Sequence, residues 1–183
     1  MKRIRLLLMI LLPLFLLPAC GTGNTQNDWK VYHAKPGSPV NPNFSAYSFE
    51  YPSTWKMEQE ANHFTFVPDA KLFRDVPEKL NSGQIIAGLS MNVDISPEQM
   101  IDGYTSTLGD KIQFTEIVSI VVNGHPAAYR EGKNLQTGDQ VFVIATDIGE
   151  NTRGLLTARV AEGELEAWKE DLFRIAQSLQ LEK

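Results

Sequence analysis

Tyr47-Ser48-Phe49-Glu50-Tyr51-Pro52-Ser53-Thr54-Trp55 is the stretch whose reading decides the fold. Tyr47, Phe49 and Tyr51 alternate with Ser48 and Glu50, so a strand here carries all three rings on one face. Pro52 cannot donate to a ladder and ends that strand. Alternating aromatics of this kind fill a core far more often than they line a ligand pocket, and Trp55 is read the same way.

Downstream, the pattern alternates between strands and helices. His63–Val67 reads as a second short strand, and residues 68–83 as a long loop with one helical turn. Gln84–Ile95 reads as a longer strand loosened by Gly88. Ser96-Pro97-Glu98-Gln99 is a helix start: Ser96 serves as N-cap, Pro97 fits the first helical position, and Gln99 closes a capping box. Met100, Ile101, Tyr104 and Leu108 share one face of that helix, and Gly109 stops it. Ile112–Val122 then reads as one strand with Ile112, Phe114, Val118, Ile120 and Val122 on a common face. The Asn123-Gly124 turn leads into Pro126–Glu131, a hairpin. Two further strands, Gln140–Ile148 and Arg153–Val160, follow turns at 136–139 and 150–152. A closing amphipathic helix spans Gly163–Leu179, with Leu165, Trp168, Leu172, Ile175, Ala176 and Leu179 as its apolar stripe. This order gives an α+β fold, a mostly antiparallel central sheet flanked by helices.

Upstream, Met1-Lys2-Arg3-Ile4-Arg5 precedes a twelve-residue apolar run, Leu6–Leu17, and Leu17-Pro18-Ala19-Cys20 follows. A basic start, an apolar run shorter than the ~20 residues of a spanning helix and a small residue before the cut make a secretory signal. Cys20 is the only cysteine of the chain. Leu17, Ala19 and Cys20 match the lipobox of bacterial lipoproteins, from which Pro18 departs. The resemblance implies cleavage before Cys20, acylation of its thiol, and attachment to a membrane from outside the cytoplasm; two acyl chains suffice for stable anchoring. Residues 1–19 are thus read as signal peptide, 20–43 as lipid anchor and tether, and 44–183 as the domain. Within the tether, Trp29–His33 reads either as an extended piece of linker or as a first strand docked on the domain.

Cleavage there removes Lys2, Arg3 and Arg5 and no acid, leaving 14 basic against 22 acidic residues, a balance of −8. Nucleic acid and anionic lipid surfaces call for basic patches, so neither is an expected partner. With Cys20 acylated, no intramolecular disulfide is possible. His33, His63 and His125 show no metal-ligand spacing, alone or with Asp94. No metal or cofactor is expected. Catalytic signatures are equally lacking: there is no G-x-S-x-G elbow, Ser90 and Ser119 sit within strands, and Glu58/Glu60 and Asp69/Asp75 read as solvated pairs. The 68–83 loop offers a candidate partner-binding site at Lys71, Leu72, Phe73 and Arg74. Its apolar pair either meets a partner or completes the core.

The run from the aromatic strand into Tyr51-Pro52-x-x-Trp55 resembles the opening of the PsbP-like (Mog1/PsbP) proteins. The Asn123-Gly124-His125-Pro126-Ala127-Ala128 hairpin and the final helix ending in Ser178-Leu179 are similar to that family too, so the likeness spans about residues 44–181. It implies an α/β/α sandwich and, since most such proteins are accessory or binding subunits, a non-catalytic role. No functional residue transfers, because the matching positions are core and turn residues. The expectation is therefore a non-enzymatic, lipid-anchored envelope protein that binds another envelope protein. A small-ligand or metal-binding lipoprotein is the alternative, and a hydrolase with a scattered site the more distant one.

Overall fold

In the computed structural model, which describes residues 28–35 and 45–182, the elements run in this order: β1 (Trp29–Ala34), β2 (Tyr47–Pro52), β3 (Lys56–Glu60), β4 (His63–Val67), β5 (Ile85–Val93), α1 (Pro97–Thr107), β6 (Ile112–Phe114), β7 (Val118–Val122), β8 (His125–Asn134), β9 (Gln140–Gly149), β10 (Thr152–Val160), α2 (Leu165–Ser178) and β11 (Gln180–Leu181). They form two sheets. A small one has the order β1-β2-β11, and a large one β3-β4-β5-β10-β9-β8-β6, with β7 also paired to β8. Every strand pair is antiparallel. Leu17, Ala19 and Cys20 lie outside the described residues, as does most of the tether. Among the described residues no helix is long and apolar enough to cross a membrane.

The aromatic strand is β2, and its rings make the centre of the larger core. Tyr47 and Phe49 are fully buried and Trp55 nearly so. Phe49 meets Phe64 and Phe66 edge-on at 5.0 and 5.8 Å and stacks on Tyr32 at 5.2 Å. Tyr32 lies opposite Phe49 in the β1–β2 register. Trp29–Ala34 is thus a docked strand, the second of its two readings. The apolar stripe of α2 closes this core against Phe142, Ile144 and Leu156 of the large sheet. On the sheet's other face, α1 seats Met100 and Ile101 on Ala128, Val143 and Ala145. Ser96 Oγ accepts from Gln99 N and Gln99 Oε1 from Ser96 N, the reciprocal box expected at its start.

One strand differs from its sequence reading. Ile112–Val122 is not continuous: 115–117 lie opposite only two residues of β8, 130 and 131, because Phe114 pairs with Gly132 and Val118 with Tyr129. The additional residue reverses the alternation. Ile112 and Phe114 therefore face the α1 core, while Ile120 packs into the opposite one. Thr115 fixes the bulge, its N–H donating to Glu131 O and its Oγ1 accepting from Glu131 N. β3 and the two-residue β11 are further strands beyond the sequence reading.

The 68–83 loop is fastened at several points. Asp69 caps a short 3-10 turn, Ala70–Phe73. Leu80 N donates to the fully buried Asp139 carboxylate at 3.2 and 3.3 Å, and Arg159 donates to Glu78 O. Glu164 accepts from Ser82 Oγ and from Gly83 N, and Glu162 binds Lys79 and Lys133. These bonds hold both glutamates below the usual carboxylate range, chiefly through Lys79 and then Lys133 at Glu162, and through Ser82 and then the Gly83 amide at Glu164. A carboxyl that ionises lower when folded stabilises the folded form above its unfolded value, about 4.3. That stabilisation disappears as pH falls through the folded value. Acidification from about pH 4.3 down through the folded values is therefore expected to loosen residues 79–83 before the sheet opens. Amide exchange at Gly83 that stays equally slow at every pH from 6 down to about 2, while the sheet amides remain protected and after correction for intrinsic rates, would disprove the clasp.

Candidate functional site

Along β5 the odd residues from Ile85 to Met91 are buried in the larger core, so Ile86, Gly88 and Ser90 face the α1 side. Leu155, Thr157 and Arg159 of β10 share that side, as do His63 and Thr65 of β4 through the pairings His63↔Ser90 and Thr65↔Gly88. Helix α1 covers only the β8–β9–β10 part of the face, leaving the β4–β5 part open. The result is a groove of about 330 Å³ whose inner wall is Tyr104, Leu108, Ile112 and Leu155 and whose outer rim is His63, Thr65 and Ser90.

Gly88 forms the floor. A Cβ there would stand 3.1 Å from both His63 Cε1 and Thr157 Oγ1, so the missing side chain lets those two groups converge over the backbone. His63 Nδ1 is 2.7 Å from Ser90 Oγ, and Thr65 Oγ1 lies 3.4 Å from His63 Nε2. At the groove's end Arg159 gives Nε to Asp139 Oδ2 at 2.7 Å. Among the described residues no Asp or Glu lines the groove.

A serine beside a histidine invites comparison with an acyl-transfer site. Such a site needs backbone N–H donors free to hold an oxyanion, and a base oriented by a further acceptor. Ser90 sits inside β5, between β4 and β10, where ladder bonds occupy the surrounding amides. The orienting group on Nε2 is a threonine hydroxyl at long distance, not a carboxylate. The arrangement can hold a ligand, and the amides beside Ser90, taken up by the ladder, supply no backbone donor to an oxyanion.

The other histidines go elsewhere. His33 is exposed and pairs with Glu182. His125 lines a crevice of about 550 Å³ with Asp147, Glu150 and Glu182. Each of those acids has a partner: Arg153, Ser45 and His33 in turn. Among the described residues no three His, Cys, Asp or Glu side chains converge as a metal site. At the 68–83 loop, Leu72 is buried, Phe73 is half-buried and Lys71 and Arg74 are exposed. No exposed Leu-Phe pair exists there. Sequence reading passed over Thr65, Thr157 and the role of Gly88. The isolated glycine inside a strand was the available signal, since it often marks close approach to a backbone.

This geometry is that of the PsbP-like (Mog1/PsbP) fold, with one helix on the sheet and the second helix and small sheet behind it. Cyanobacterial PsbP (CyanoP) from Synechocystis superposes over 91% of this chain and 99% of its own, with TM-score 0.55 and 13% identity. LpqN of Mycobacterium tuberculosis, which is involved in cell envelope biogenesis, covers 86% of this chain and 94% of its own, with TM-score 0.51 and 14% identity. A protein of Bacteroides thetaiotaomicron matches 84% of this chain over 48% of its own length, with TM-score 0.50 and 15% identity. At these identities the likeness concerns the fold alone. No family model and no curated protein matches the sequence.

Proposed function

We propose that the protein is a non-enzymatic binding module, anchored by lipid on Cys20 outside the cytoplasm, that serves a membrane-associated complex of the cell envelope. The observation that carries the binding reading is the groove over Gly88: it is open, shaped by a missing side chain, and its serine lies where the ladder occupies the oxyanion donors. The Leu17-Pro18-Ala19-Cys20 run supports the anchor. The fold shared with a PsbP protein and with a protein of envelope biogenesis is compatible with an accessory role. Lys71, Phe73 and Arg74 are a second surface available to a partner.

The test uses the full chain produced in a bacterium that processes lipoproteins. It is expected to sediment with membranes and incorporate an alkyne analogue of palmitate, and Cys20→Ala should lose both. A photoreactive residue in place of Thr65, on the groove rim, is expected to trap a discrete adduct in intact cells. A second, in place of Phe73, probes the loop. Recovery of the bare monomer at both positions across growth conditions counts against the module, and a Cys20→Ala chain that still carries the label counts against the anchor.

A further inference from the structure

We propose that the groove over Gly88 binds a small amphipathic carboxylate, its apolar body under the end of α1 and its carboxylate above Gly88. This rests on the groove being the binding surface, as proposed above, and names what fills it. The two ends of the groove differ in chemistry. Tyr104, Leu108, Ile112 and Leu155 form the inner, apolar end, while His63, Thr65 and Ser90 form the outer, polar one.

The charge of the site sets the sign of the ligand. The chain carries 22 acidic residues, yet among the described residues no Asp or Glu lines this groove, and Arg159 at its end is paired with Asp139 behind it. The crevice at His125, by contrast, is lined by Asp147, Glu150 and Glu182. An anionic head therefore meets no like charge here. Donors stand where the head would lie. The position a Cβ of Gly88 would take is 3.1 Å from Thr157 Oγ1 and 3.5 Å from His63 Nε2. In the tautomer with its proton on Nε2, His63 accepts the Ser90 hydroxyl at Nδ1 and can turn its N–H from the long contact with Thr65 Oγ1 to the ligand. The Thr157 hydroxyl now makes only a long bond, 3.4 Å, to Gly88 O. It is free to turn toward a stronger acceptor. A ligand oxygen lies further out than that Cβ position, over the gap between Thr157 Oγ1 and His63 Nε2, and a hydroxyl or ring N–H donating to a carboxylate outweighs a neutral bond. A volume of about 330 Å³ is at the small end of ligand sites, which suits one fused ring system or a short acyl chain.

The full, lipidated chain in nanodiscs, titrated with 2-naphthoate and with 2-naphthamide by ligand-observed NMR, tests this, with empty nanodiscs correcting for partition into lipid. Naphthoate is expected to bind about tenfold more tightly than the amide. Gly88→Ala drives a methyl between His63 and Thr157, beneath the carboxylate, and Thr157→Val removes one donor at constant shape. Each is expected to abolish that preference, with Ser119→Ala, on the distant strand β7 where its hydroxyl donates to Glu98, leaving it unchanged. Equal binding of acid and amide, or a preference that survives both groove variants, overturns the assignment. If neither probe binds while the Thr65 position still traps a partner, the ligand class fails and the binding module stands. Failure of both removes both.

Discussion

Phe49→Ala is expected to lower the free energy of unfolding by about 3–5 kcal/mol, a large part of the ~5–15 kcal/mol that holds a domain together. Phe49 has no exposed surface, and its ring touches Tyr32, Phe64 and Phe66. Truncation loses the transfer energy of the ring and leaves a cavity that cannot collapse easily, because those neighbours belong to two strands, β1 and β4, of two separate sheets. The edge-on geometry adds about 0.5–1.5 kcal/mol per aromatic pair beyond burial. Phe49→Leu keeps much of the volume and should cost considerably less. Urea denaturation followed by tryptophan fluorescence reads both at constant slope. A midpoint for Phe49→Ala within error of the parent chain would mean that the small sheet is not part of the cooperative core.

Asp139→Ala should act almost as strongly, by about 3–5 kcal/mol, for a different reason. The carboxylate is fully buried, accepts from Leu80 N, and faces the Arg159 guanidinium, whose side chain is 29% exposed. Removing it strands a cation and an amide together, and partial hydration of Arg159 places the loss toward the lower end of that range. Loop residues 78–80 lose their hold at the same time, since Arg159 also donates to Glu78 O. Arg159→Met added to Asp139→Ala should recover part of the stability, because a buried pair removed as a whole leaves no orphaned charge. A double variant less stable than Asp139→Ala alone would show that Arg159 stabilises the fold by something other than this pair.

The elements that sequence reading identified are those whose cause is local. The capping box of α1 needs only Ser96 and Gln99 three residues apart, and it forms as read. The aromatic alternation of β2, the stripe of α2 and the Asn123-Gly124 turn, where both residues take positive φ, are equally short-range. What escaped was set by partners distant in sequence. Lys56–Glu60 reads as polar surface because β3 is an edge strand, its Lys56, Glu58 and Glu60 exposed. The bulge at 115–117 depends on Glu131 accepting from Thr115, which no period within 112–122 reveals. Leu72 was consistent with a core or a partner contact, and packing decided for the interior.

The sequence by itself determined the fold class, the acidic balance and the Leu17–Cys20 motif, because composition, period and short motifs are properties of neighbouring residues. Tertiary structure alone decided the groove. His63, Gly88 and Thr157 are separated by 25 and 69 positions and become neighbours through the β4–β5 and β5–β10 registers. Their opening exists because α1 covers β8 to β10 and stops short of β4. A site made by register and by the reach of one helix leaves no mark in the chain beyond a glycine inside a strand.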